Sequence, residues 1–343
     1  MTGVGTLYSF PLKDIRRNLP AFEGEEGMNT LKKILKKVLP KSMRETIKDI
    51  KVYIIKLTTI KKYIKYQFVP PGHFYSPIAN IEEIMKEDIW SNIPRQLPAI
   101  DLNEKYQIDL MNFFSNEYYP QLPFKPEKQE NLRYYYENPA YSYSDAIFLH
   151  CMIRHLKPKR IIEVGSGFSS CVMIDTNEIF FNNNINCTFI EPFPKLLVSL
   201  VKQEDKGRVK IISKRLQDVP LDVFRELQKN DILFIDSTHV SKVCSDVNYL
   251  FFNIIPFLSN GVYLHFHDIL YPFEYPKDWI KDGISWNEAY MLRNFLSFNK
   301  HFDIAFFNTF METFHYDWFL KNMPLCLKNT GGSIWIVKRA GFV

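Results

Sequence analysis

The sequence predicts an α/β protein: a largely parallel sheet with helices over both faces. Three observations carry that prediction. From Arg160 onward, short apolar runs of strand length alternate with segments of helical period, the pattern of parallel strands joined by helical crossovers. The first run, RIIEVG, passes straight into a glycine turn and a helix start at 165–169. The runs DILFID and GVYLHFHD become polar only at their carboxyl ends, which is where open α/β sheets bind ligands.

Taken in order, residues 1–27 have no hydrophobic period and read as a tail. Residues 28–69 form a basic amphipathic arm, with Leu31, Ile34, Leu35 and Val38 at helical spacing, a break at Pro40, and Ile47, Ile50, Ile54 and Leu57 resuming the pattern. This arm holds twelve Lys or Arg against Glu45 and Asp49, whereas the formal charge of the whole chain is only +5. Such a segment suits a helical arm packed on its own domain or in a homo-oligomer, and equally a peripheral contact with an anionic membrane. No base-reading module accompanies the charge, so nucleic acid is not an expected partner. Residues 70–138, rich in Pro and aromatics, read as a cover over one side of the sheet region, with short helices at 80–88 and 103–114.

The 139–343 region supplies the sheet. A helix at 146–155 precedes strand RIIEVG, a helix at 169–180, strand CTFIEP, a helix near 194–203 and strand RVKIISK. Then come a helix at 220–229, strand DILFID, a helix at 244–256 and strand GVYLHFHD. A helix at 286–298 is expected, with Ser285 as N-cap and Glu288 as its capping-box partner. Strands at 301–309 and 333–339 close the domain.

Composition sets the outer limits. The 343 residues are 46% hydrophobic and 24% charged, ordinary values for a globular protein. Five cysteines, an odd number without a CxxC pair, argue against a disulfide framework and for a reducing, cytoplasmic location, with the basic arm allowing a place at the inner face of a membrane. The sequence has neither an 18-residue apolar run nor a signal-peptide pattern.

Chemistry concentrates at two places. In IIEVGSGFSS, Gly165 and Gly167 permit a tight turn ahead of free helix N–H groups, and Ser170 stands where a dinucleotide fingerprint has its third glycine. Glu163 beside that turn disfavours a pyrophosphate and suits a neutral-to-cationic cofactor with an amino-acid tail. Glu191, closing the second strand, is placed to accept from ribose hydroxyls, a feature of dinucleotide enzymes too.

Residues 161–191 resemble the first two motifs of the class I S-adenosylmethionine-dependent methyltransferases, and the chain from PPGHFYSP onward resembles one bacterial branch of them. The resemblance implies a Rossmann-like seven-stranded sheet of order 3214576 with the last strand antiparallel, preceded here by a helical and irregular extension. It also implies S-adenosyl-L-methionine as cofactor, with Glu163, Gly165, Ser166 and Gly167 at the methionine part, Glu191 at the ribose and Asp218 near the adenine. Tyr141, Ser144 and Asp145 are further candidates. As isolated residues, Glu191 and Asp218 also read as turn caps.

At the other place, Asp236 ends the fourth strand and His267 and Asp268 end the fifth, a reasonable donor set for a divalent Mg, Mn or Fe ion. The arrangement is similar to the metal-dependent O-methyltransferases of the catechol and sugar-modifying types, with His267 standing where those families have an acid. By that resemblance His239, three residues beyond Asp236, is the general base, and the reaction is methylation of an activated hydroxyl. Read without it, Asp246 and Asp268 are also candidate caps, His265 an internal histidine, and His239 a loop hydrogen-bonder. Trp279, Trp286 and the Tyr-rich cover suit a hydroxylated small molecule or glycan as acceptor, or else a wall that excludes water. The rival classes are an NAD-dependent oxidoreductase and a non-catalytic binding protein at a membrane surface.

Overall fold

The computed structural model describes residues 67–87 and 89–339, so the tail and nearly all of the basic arm lie outside the described residues. The chain divides into two compact units, residues 1–76 and Pro77–Val343. In the described end of the first, the His73 ring stacks on Phe74 at 4.5 Å.

The second unit is built on the predicted sheet. Its strands are β1 (Arg160–Val164), β2 (Asn186–Ile190), β3 (Lys210–Ile212), β4 (Ile232–Ile235), β5 (Tyr263–His267), β6 (Phe302–Phe307) and β7 (Ser333–Lys338), in the order β3-β2-β1-β4-β5-β7-β6. The first five run parallel, and β7 is antiparallel to both β5 and β6. The central strands are buried on both faces: every residue of β4 is buried, as are the last four of β1 and β5. This is the Rossmann-like order 3214576, with the last strand antiparallel, that the resemblance implies.

The reversal of strand order at β1 and β4 opens a crevice at their carboxyl ends. The register carries the site residues there. Val164 pairs with Ile190 and Ile235, and Ile235 with Phe266, so Gly165, Glu191, Asp236 and His267 stand at one level at the carboxyl ends of their strands.

From Pro77 onward the cover is part of this unit. A helix at Glu104–Glu117 is joined to β6 by buried Gln107, whose amide donates to Leu102 O and accepts from Phe307 N at 2.7 Å. Arg133, almost wholly buried, donates to Asp175 at 2.6 Å and to Asp205 at 2.7 Å and pairs with Glu178 at 2.7 Å. It thereby ties the cover to the helix Phe168–Phe181 and to the turn before β3.

Several expected helices come out differently, 80–88 being only Ile81–Ile84 and the one near 194–203 only Lys195–Leu200. The 220–229 segment is a single turn, Asp222–Arg225, because the Asp231 carboxylate captures Gln228 N at 2.9 Å and diverts the backbone. The 244–256 segment is an α-turn at Asp246–Tyr249, a π-turn at Leu250–Ile254 and a 3₁₀ turn at Ile255–Phe257, the last containing Pro256, which cannot donate to a regular helix. The 286–298 helix starts later, at Glu288–Leu296 with Asn287 before it, and Ser285 and Glu288 form no capping box.

Candidate functional site

The glycine turn needs glycine for a local reason. Gly165 has φ +80, and a Cβ there would stand 1.9 Å from the backbone oxygen of Asp236. The close approach is therefore between the turn and the end of β4. Gly167 is extended and has room for a Cβ, with Leu196 at 3.5 Å.

Beside this turn lies a cavity of about 420 Å³, walled by Val164, Ile190, Phe193 and Leu216 with Glu191, Gln217 and Asp236 among its polar lining. Glu191 is aimed by two backbone donors, Phe193 N at 2.8 Å and Ser166 N at 3.3 Å. The Ser166 hydroxyl has no hydrogen-bond partner among the described residues. Glu163 does not line this cavity: it is fully buried in β1, accepts from the Ser169 and Ser170 hydroxyls, and is pushed by burial up to about 8. Asp218 also stays off the wall, because Arg215 holds it in an exposed ion pair at 2.8 Å, and its neighbours Leu216 and Gln217 face the space instead. Tyr141 is buried deeper, its hydroxyl donating to Asp145 O at 3.2 Å and its ring 5.1 Å from His267.

Asp236, His239 and Asp268 come together beyond the end of β4, one ligand atom of each within 4.8 Å of the others. His239 Nε2 lies 3.2 Å from Asp236 and 3.6 Å from Asp268, and its Nδ1 lies 2.9 Å from Glu288. Both His239 and Asp268 have left-handed backbones, φ +58 and +56, a strain of about 1–3 kcal/mol each that the surroundings must hold.

What holds His239 is the start of the Glu288–Leu296 helix. Asn287 N and Glu288 N both donate to His239 O, Asn287 exchanges side-chain hydrogen bonds with the Ser241 backbone, and Ser237 Oγ donates to Glu288 at 3.0 Å. Asp246 secures the same loop through Thr238 N and Oγ1. The Trp286 ring packs on His239 at 4.3 Å, with Trp279 at 5.4 Å behind it.

The electrostatics reflect this crowding. Burial works against a charge on His239, but the hydrogen bonds to Asp236 and Glu288 outweigh it and push its pKa up to about 10. Burial opposes ionisation of Asp236 too, yet His239 and His267 hold its pKa below the usual carboxylate value, while burial raises that of Asp268.

Two placements differ from the sequence reading. His267 does not join Asp236: it projects from β5 on the same face as His265 and forms a separate group with His265 and Asp145. The position the sequence assigns to His267 in the Asp236–Asp268 group is filled by His239, because the left-handed turn at Asp268 carries that carboxylate towards the β4 loop. The residue that sequence reasoning missed is Glu288. It resembles a helix cap, and its partner is 49 positions away, beyond any local pattern.

Residues 162–269 match the sequence model of a family described as a methyltransferase domain. The chain is 36% identical over 171 residues to an uncharacterized protein of Archaeoglobus fulgidus, a match that spans 48% of this chain and 75% of that one. Among solved structures, it is similar to the O-methyltransferase TomG from Streptomyces achromogenes, with 13% identity, 60% and 84% of the two chains covered and a TM-score of 0.40. It is also similar to an O-methyltransferase from Bacillus cereus, with 13% identity, 59% and 84% covered and a TM-score of 0.37.

Proposed function

The chain belongs to the methyltransferase-domain family, as a relative of the Archaeoglobus fulgidus protein, and from that premise we propose that it is an S-adenosylmethionine-dependent O-methyltransferase acting on a hydroxylated small molecule or glycan. One observation carries the reading. His239 stands beside the cavity's Asp236 with Nε2 turned to two carboxylates and Nδ1 held by a third.

The cavity suits an adenosine ligand. Glu191 is oriented to accept from ribose hydroxyls, and Phe193, Leu216 and Gln217 offer apolar and amide surface to a base. When bound, S-adenosylmethionine supplies a methyl group made electrophilic by its sulfonium. Asp236 and Asp268 would hold a divalent cation, with the His239 imidazole beside them and oriented through Nδ1 by Glu288. Such an ion supplies a lowered pKa to an acceptor hydroxyl. His239 Nε2 is the group that takes the acceptor's proton, and Glu288 keeps Nδ1 protonated and the ring in place. The carboxylate charge that raises His239 is the charge a cation on Asp236 and Asp268 neutralises. Trp286, with Trp279 and Tyr275 behind it, offers an aromatic wall for a sugar or phenol ring.

Calorimetric titration of the metal-stripped full chain tests this, using S-adenosylmethionine and S-adenosylhomocysteine with and without Mg(II), Mn(II) or Fe(II), and NADH as a separate arm. Saturable binding of both sulfur cofactors is expected, with a metal effect lost in Asp268→Ala. Folded protein that binds neither, or that binds NADH instead, overturns the reading.

A further inference from the structure

A second cluster lies deeper in the sheet. His265 and His267, two apart on β5, turn their rings to the same side, nearly parallel at 14° with centroids 6.1 Å apart. Asp145, in the first turn of the helix Tyr143–Leu156, brings its carboxylate to them, and one ligand atom of each residue lies within 4.8 Å of the others. All three residues are buried.

His265 is the residue a packing role does not explain. It has no exposed surface, and neither ring nitrogen has a hydrogen-bond partner among the described residues. His267 Nδ1 is likewise unpartnered. Leaving such a group unpaired is costly, and a Phe or Leu at 265 would avoid the cost. The surroundings would accept Phe, since His265 already stacks on Phe234 at 3.9 Å and meets the edge of Trp335 at 4.7 Å. Asp145 is already oriented as a supported ligand would be, accepting from Ser333 Oγ at 2.7 Å and Gly332 N at 3.0 Å.

We propose that Asp145, His265 and His267 form a metal site for an imidazole-preferring divalent ion of the Fe(II) to Zn(II) series, distinct from the Asp236–His239–Asp268 group. Two imidazoles and one carboxylate select such ions over Mg(II), which prefers oxygen donors. The site would join β5 to the head of the Tyr143–Leu156 helix and the 332–333 backbone. It would also fix His267, and with it the start of the turn that places Asp268. The proposal goes beyond the methyl-transfer reading and does not depend on it.

Cobalt(II) tests it, because its absorption reports histidine ligation whether or not any cofactor binds. Chelator-stripped full chain is titrated with Co(II) as wild type, as Asp236→Asn, which disables the outer group and leaves all three proposed ligands in place, and as Asp236→Asn carrying His265→Phe, which keeps the ring stack and removes both nitrogens. Wild type and Asp236→Asn are expected to develop the ligand-field band and to gain thermal stability with Co(II). His265→Phe made on the Asp236→Asn chain, where the outer group is disabled, is expected to lose both, with affinity for this ion falling about tenfold or more. A band and a stability gain unchanged in that double variant overturn the proposal. Should that variant not fold, X-ray absorption of Zn(II)-loaded Asp236→Asn protein decides: two imidazole ligands support the site, and one or none overturns it.

Discussion

Glu163 has both carboxylate oxygens engaged by serine hydroxyls inside the protein, and burial raises its pKa from 4.5 to about 8. The unfolded chain therefore releases this proton at lower pH than the fold does. The stability that Glu163 contributes is complete below about 4.5 and is lost as pH rises through about 8, a change on the order of several kcal/mol. Glu163→Gln keeps the shape and removes the titration. Urea unfolding midpoints measured from pH 5 to 8.5 should fall for the wild type relative to the variant, and parallel curves would show that the carboxylate stays ionised. Sequence alone assigns Glu163 to the ligand's amino-acid tail because it precedes the glycine turn. Its rotamer and burial, which place it under the next helix, are not legible there. The positions of Gly165, Glu191, Asp236 and Asp268 are, since the ends of apolar runs mark the ends of strands.

At the scale of elements, Arg133 is the pin between cover and sheet domain, with Asp175 and Asp205 buried around it. Removing one partner of such a group leaves uncompensated charge, so Arg133→Met should cost about 3–5 kcal/mol in denaturant unfolding. A cost below about 1 kcal/mol would mean that the cover is held by its apolar contacts alone. Strands are readable because burial on both faces leaves a continuous apolar run. Helices are readable only where nothing competes for their backbone, and Asp231 and Pro256 end two that periodicity would extend. The helix entered at Asn287 departs from its sequence pattern for a more instructive reason. Its first residues are spent on holding the His239 loop, so the acid that resembles a cap belongs to the site.

For the whole molecule, no helix among the described residues is long and apolar enough to cross a membrane. The basic arm at 28–69 remains a proposed peripheral contact, argued from its twelve cationic residues and their helical spacing. Full-length protein should float with vesicles containing anionic lipid, and a chain lacking 28–69 should not, with the difference shrinking as salt is raised. Equal flotation of the two would assign the arm to protein contacts instead.

The contact between Gly165 and Asp236 bears on how such a molecule can diversify. Because the turn and the neighbouring strand end touch through backbone, with no side chain between them, the proposed methyl transfer would have its donor-to-acceptor spacing inherited from folding. New acceptors can then be accommodated by altering the 237–246 loop and the Trp286 wall while the interval that the reaction must cross stays constant.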